Sequence, residues 1–269
     1  MSPETRAPSA PADQTAQPGQ LREGDLPDLV RKIRERTPAR LLMGRAGASY
    51  RTSTQIELRQ AHAAARDAVR DELDLARDFG ASFILRWQLF EVSTAAANKD
   101  EYLLRPDLGR RLSQPARSEV LRRCLANTDL QIAIGDGLSV TAVRAQVVKL
   151  LPLLSDGAKR RSWSVGQPFV VRHCRVGILN EVGELLRPKV GVLLIGERPG
   201  LATAESLSAY MAYEPTKNHT DRDRNLISNI HARGVRANEA AQRILQFAAH
   251  MMRAGKSGYT LREEPLALE

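Results

Sequence analysis

The stretch Lys189 to Ile195 carries no polar side chain after its first residue, and Leu130 to Ile134 is a second short run of nearly the same kind. A strand that alternates apolar and polar residues buries one face. A strand apolar throughout is buried on both, as strands are inside a parallel sheet covered by helices on either side. Each run ends in a glycine-bounded turn, Gly135-Asp136-Gly137-Leu138 after Ile134 and Gly196-Glu197-Arg198-Pro199-Gly200 after Ile195. Ser139 then caps a helix whose Val140, Val143, Val147, Leu150, Leu151 and Leu154 form a wide apolar stripe. Pro168 to Cys174 predicts a further strand, Gly177 to Leu186 a short helix, and Pro115 to Ala126 and Asn238 to Arg253 two more helices. The alternation selects an α/β fold over residues 98–269, a three-layer, Rossmann-like domain around a mainly parallel sheet.

Ahead of it the texture differs. Residues 1–24 place Pro3, Pro8, Pro11 and Pro18 among small and polar residues and read as a disordered leader. Residues 25–97 read as a small helical N-terminal domain. Leu26, Leu29, Val30 and Ile33 fall on one face of a helix that Pro38 should end, and Thr52, Ser53 or Thr54 can cap a long alanine-rich helix from Gln55 to Asp78. Phe83 to Val92 fits either the tail of that region or a strand.

Composition narrows the function classes. No run approaches the roughly 20 apolar residues of a membrane span. The two cysteines, Cys124 and Cys174, form no C-x-x-C pair, so neither a disulfide framework nor a thiolate zinc cluster is expected, and a reducing cytoplasmic setting fits. The 269 residues carry a formal charge of +9. Basic residues alternate with acids, however, and aromatics make up only 4%, so a nucleic-acid surface is not expected.

In open parallel sheets ligands collect at the carboxyl ends of the strands. Three loops qualify. Gly135 to Ser139 could meet a phosphate at a helix N-terminus, although its G-x-G lacks the third glycine of a dinucleotide fingerprint and a plain capped turn explains it better. Gly196 to Gly200 sends a carboxylate and a guanidinium out of a buried strand together, and either a ligand site or a local Glu197–Arg198 ion pair accounts for that. The polar stretch Tyr213 to His231 is the third. The five histidines show no metal-protease spacing and no serine lies in G-x-S-x-G. Cys174 beside His173 is no thiolate pair, since neighbours on a strand face opposite ways.

The runs Arg105-Pro106-Asp107-Leu108-Gly109-Arg110-Arg111-Leu112, Asp136-Gly137-Leu138-Ser139, Gly196-Glu197-Arg198-Pro199-Gly200-Leu201, Glu205-Ser206-Leu207-Ser208 and Ile227-Ser228-Asn229-Ile230-His231 stand in an order that resembles the small, or light, subunit family of ethanolamine ammonia-lyase. The resemblance implies a carbon–nitrogen lyase dependent on adenosylcobalamin, which converts ethanolamine to acetaldehyde and ammonia. It implies a partner, the large subunit, which carries the substrate site. This chain then covers the cobalamin at the interface and holds no catalytic residue itself. Three cofactor contacts carry over, at Val176, Glu197 and Leu226, the last where related chains can have cysteine. The family also implies a cytoplasmic location, in some organisms within a bacterial microcompartment. Asn229-x-His231-x-x-Gly234 is similar to the D-x-H-x-x-G motif of other cobalamin proteins, but with asparagine for the orienting aspartate it implies a structural His231 rather than a metal ligand. The alternative to this family reading is a stand-alone α/β module or enzyme for a phosphate-bearing small molecule.

Overall fold

A computed structural model describes residues 28–263 apart from 38, 39, 42 and 201. The leader expected over 1–24, Leu26 and Pro38 lie outside the described residues. The chain divides into two compact units between Gln55 and Ile56. The first contains helix α1 (Asp28–Arg36) and a two-stranded hairpin, β1 (Arg45–Ala46) and β2 (Ser49–Tyr50), turned at Gly47 with φ 61°.

Helix α2 (Thr52–Arg70) is shorter than its alanine-rich sequence suggests. The acidic stretch after Arg70 breaks it, and Asp74 accepts the Arg77 N–H to start a new helix, α3 (Leu75–Phe79). The ambiguous segment that follows contains both elements: helix α4 (Ala81–Trp87), closed by Gln88 in the left-handed region, and strand β3 (Phe90–Ser93). Because β3 joins the main sheet, that sheet takes in residues ahead of the boundary expected at 98.

Helices α5 (Lys99–Leu104) and α6 (Gln114–Arg123) lead to β4 (Leu130–Gly135), α7 (Val140–Arg160), β5 (Phe169–Arg172), α8 (Ile178–Leu186) and β6 (Val190–Gly196). Each of the last five matches an expected element to within a few residues. Two more strands, β7 (Leu207–Tyr213) and β8 (Asn225–Ile230), and helix α9 (Ala237–Ala254) complete the unit. The six-stranded sheet runs β3-β5-β4-β6-β7-β8, with β3, β5, β4 and β6 mutually parallel and β7 antiparallel to both of its neighbours, β6 and β8. The protein is therefore mixed α/β with a mainly parallel sheet.

Alternate residues of the central strands enter two separate cores. Ile132, Ile134, Val192 and Leu194 pack with α7 and α9, while Ala133, Leu193 and Ile195 pack with α6 and α8. Burial on both sides is what the unbroken apolar runs require. Among the described residues no helix is long and apolar enough to cross a membrane.

Candidate functional site

The carboxyl ends of β4 and β6, the residues after β5, and facing segments of β7 and β8 frame a cleft of about 390 Å³. Backbone forms much of it. Gly137 stands at φ 58°, and a Cβ there would lie 2.4 Å from the Gly196 carbonyl oxygen, against which Leu138 N–H is also bonded at 3.1 Å. A Cβ on Gly196 would in turn lie 2.0 Å from the Ser139 carbonyl oxygen. The two glycine-bounded turns thus interlock, and each needs its glycine for that closeness.

Two side chains fix these turns from beneath. Asp136, buried, accepts the backbone N–H of His173 and of Cys174, both at 2.8 Å. This pulls the chain out of β5 after Arg172 and holds His173 at φ 55°. Tyr102, fully buried, places its hydroxyl 2.9 Å from both the Gly137 and Cys174 carbonyl oxygens. Its single hydrogen serves one of them at a time. The Arg175 guanidinium lies 4.4 Å from the centre of its ring, and Gly109 of the Arg105–Leu112 run accepts the Arg175 N–H. Burial holds the Tyr102 hydroxyl far above the usual phenol range and raises the Cys174 thiol as well, so neither ionises. Cys174 makes no pair with the His173 ring, although the two residues lie beyond the end of β5 and not on the strand from which their opposite facing was expected.

All three expected contact residues line this one cleft. Val176 follows Arg175 on the loop after β5, Glu197 leaves the end of β6, and Leu226, 44% exposed, pairs with Tyr210 across β7 and β8. Glu197 is held from its own chain. Its Oε1 accepts from the Ser208 hydroxyl at 2.7 Å and the Asn229 N–H at 2.9 Å, and its Oε2 from the Ser206 hydroxyl at 2.8 Å. Among the described residues it forms no ion pair with Arg198, so the local-pair explanation of that turn does not hold. A carboxylate has about four acceptor positions, which leaves Glu197 at least one for a ligand.

The other loops resolve differently. The N-terminus of α7 offers no phosphate site. Ser139 and Val140 are fully buried, the Ser139 hydroxyl accepts the Ala142 N–H at 3.2 Å, and it donates to the Ala204 carbonyl. The anion in that turn is the protein's own, Asp136. Of the stretch Tyr213 to His231, only Leu226 and Ser228 reach the cleft. His231 uses both ring nitrogens locally: Nδ1 accepts the Arg233 N–H at 3.2 Å, which assigns Nε2 as the donor to Asn229 Oδ1 at 2.7 Å. Gly234 completes that turn, with no room for a Cβ against the Asn229 carbonyl oxygen.

Burial depresses the His231 pKa below that of a free imidazole. A depressed histidine stays neutral in the folded state while the unfolded chain takes up a proton, so stability falls as pH drops below about 6.5. Denaturant titrations at pH 7 and pH 5 should show the decline in the wild type and a smaller one, by up to about 1 kcal/mol, in His231→Gln. Equal declines would remove His231 as the cause.

Sequence reading placed Asp136 in a candidate turn without its role as acceptor for the His173 and Cys174 N–H groups, and it missed Tyr102 altogether. Tyr102 sits in an unremarkable Lys-Asp-Glu-Tyr-Leu-Leu helix and carries no local signal. Ser206 and Ser208 did have one, because an S-x-S pair at a strand puts both hydroxyls on the same side.

Fold and cleft together define a mixed α/β protein with a mainly parallel sheet and an open cleft at the carboxyl ends of its parallel strands. Residues 27–262 match the model of the ethanolamine ammonia-lyase light chain family (EutC). The chain belongs to that family. It is 39% identical over 231 residues to the ethanolamine ammonia-lyase small subunit of Clostridium acetobutylicum, an alignment covering 86% of this chain and 93% of that one. It is 41% and 42% identical to the small subunits of Fusobacterium nucleatum and Clostridium perfringens, again over 86% of this chain and over 76% of each relative.

Proposed function

We propose that this chain is the cobalamin-covering small subunit of ethanolamine ammonia-lyase, working with a large subunit that carries the substrate site. The observation that supports this most is the convergence of Val176, Glu197 and Leu226, distant in sequence, on one cleft. The cleft's chemistry suits part of a large, mostly apolar molecule rimmed with amides. Leu138, Val176, Ile195 and Leu226 supply apolar wall, and Glu197 supplies a fixed acceptor. At about 390 Å³ and open, it covers such a molecule on one side and leaves the other to the partner.

When bound, adenosylcobalamin supplies the radical chemistry by which ethanolamine becomes acetaldehyde and ammonia. The residues of this chain bind and orient. Glu197, immobilised by three donors, accepts from side-chain amides of the corrin without reorganising. Val176 and Leu226 make apolar or backbone contact, and the interlocked turns keep water from that side. The sheet with helices on both faces supports a three-layer, Rossmann-like domain for this role, preceded by the helical N-terminal region. The reaction fits the cytoplasm or a bacterial microcompartment.

Equilibrium dialysis of adenosylcobalamin against the co-expressed two-subunit complex tests the reading. Glu197→Ala should weaken binding about tenfold or more, the loss of at least one hydrogen bond to a charged acceptor. Ammonia release from ethanolamine should require both chains. Unchanged cofactor affinity in Glu197→Ala would remove Glu197 from the cofactor site, and full activity of the large subunit alone would remove this chain from the reaction.

A further inference from the structure

The cleft is lined by a cation that the protein itself leaves unpaired. Arg175 and Arg198 bring positive charge to its wall and Glu197 negative, and the Glu197 carboxylate is already bonded to Ser206, Ser208 and Asn229. Arg198 is exposed, so water solvates it. Arg175 is half-buried and forms no ion pair among the described residues. Asp136, the buried carboxylate beneath it, has both oxygens on the backbone N–H groups of His173 and Cys174. Of the guanidinium nitrogens, Nε is enclosed without a partner and Nη2 reaches only the Tyr102 carbonyl oxygen, at 3.5 Å. Nη1 is neither enclosed nor bonded among the described residues, which leaves it open to a ligand in the cleft.

The side chain is nevertheless fixed. Its guanidinium carbon stands 4.4 Å from the centre of the Tyr102 ring, a contact that holds a cation without consuming its N–H donors. Its stem lies against Gly109, where a Cβ would come within 2.7 Å of Arg175 Cγ, and its backbone N–H bonds the Gly109 carbonyl oxygen at 2.8 Å. An arginine held in this way loses little freedom on meeting a ligand, and its planar fork suits a group with two oxygens that share a negative charge.

On the reading of this cleft as a cobalamin site, we propose that Arg175 holds the phosphodiester of the cofactor's nucleotide loop. Cobalamin is rimmed by neutral amides, and the phosphodiester is its one anionic group. It alone supplies the charge that the guanidinium lacks, through charge-assisted bonds. Arg175 thereby selects cobalamin over cobinamide, in which the loop is missing and an uncharged hydroxyl ends the chain.

The test is equilibrium dialysis of the co-expressed two-subunit complex against adenosylcobalamin and against adenosylcobinamide. Arg175→Met keeps a stem to pack on Gly109 and Tyr102 but no donors. It should weaken adenosylcobalamin binding about tenfold or more and leave adenosylcobinamide binding unchanged, while Arg175→Lys recovers part of the loss. In the wild-type complex, rising salt should weaken adenosylcobalamin binding and not that of adenosylcobinamide, a comparison that stands even if a variant does not fold. An equal loss with both ligands, no loss with adenosylcobalamin, or the same salt dependence for the two overturns the assignment of Arg175 and leaves the cofactor reading in place. A wild-type complex that binds neither ligand overturns both.

Discussion

Asp136→Ala is expected to destabilise the protein by about 3–5 kcal/mol, the range for removing one side of a buried, hydrogen-bonded charge. The substitution strands two buried backbone donors, the N–H groups of His173 and Cys174, each costing about 1–3 kcal/mol without an acceptor. It also removes the carboxylate nearest the buried Lys99. For a folded unit of this size the melting temperature should drop by roughly 10 °C. Asp136→Asn keeps one acceptor oxygen and should fall between the two. Chemical denaturation of the three proteins checks the order, and a loss under about 1 kcal/mol in the alanine variant would mean that water replaces the carboxylate at no great cost.

Gly137→Ala should cost about 2–4 kcal/mol and abolish cofactor retention in the complex, whereas Gly255→Ala should cost only about 1 kcal/mol. The two glycines have nearly the same φ, 58° and 59°. Left-handed strain is therefore common to both substitutions. They differ in space. Around Gly255, the C-cap of α9, a Cβ meets nothing within 4 Å, but at Gly137 it meets the Gly196 carbonyl oxygen at 2.4 Å and Ile195 Cγ1 at 2.7 Å. Backbone cannot yield there without parting the two turns that frame the cleft. Equal stability losses in the two variants would show that the contact relaxes freely and that the interlock does not shape the site.

What was legible beforehand follows from how each element is buried. Strands β4 and β6 and helix α7 have one environment along their whole length, so their pattern is unmistakable. Strand β8, Asn-Leu-Ile-Ser-Asn-Ile, is an edge whose buried positions are Ile227 and Ile230, three apart, and it breaks the two-residue period that would reveal a strand. Its partner β7 shifts register between Leu207 and Ala209 and mixes small with large residues, which hid the antiparallel edge of the sheet. For the site, family resemblance led to the three residues on the cleft wall. The supports beneath them were not legible, because Asp136 acts on residues 37 and 38 positions away and Tyr102 on one 72 away. No window of sequence contains both ends of such a bond.

Strand β3 has a consequence for how the chain is made. Its parallel partner β5 begins 79 residues later, Phe90 standing opposite Phe169. At a ribosome's rate of roughly 5–20 residues per second, β3 emerges roughly 4–16 s before β5 has been synthesised. During that interval the apolar side chains of Phe90 and Val92 have no sheet to enter. The nascent chain is therefore most exposed to aggregation and to chaperone capture between the synthesis of these two strands, and slower decoding across that stretch lengthens its vulnerability.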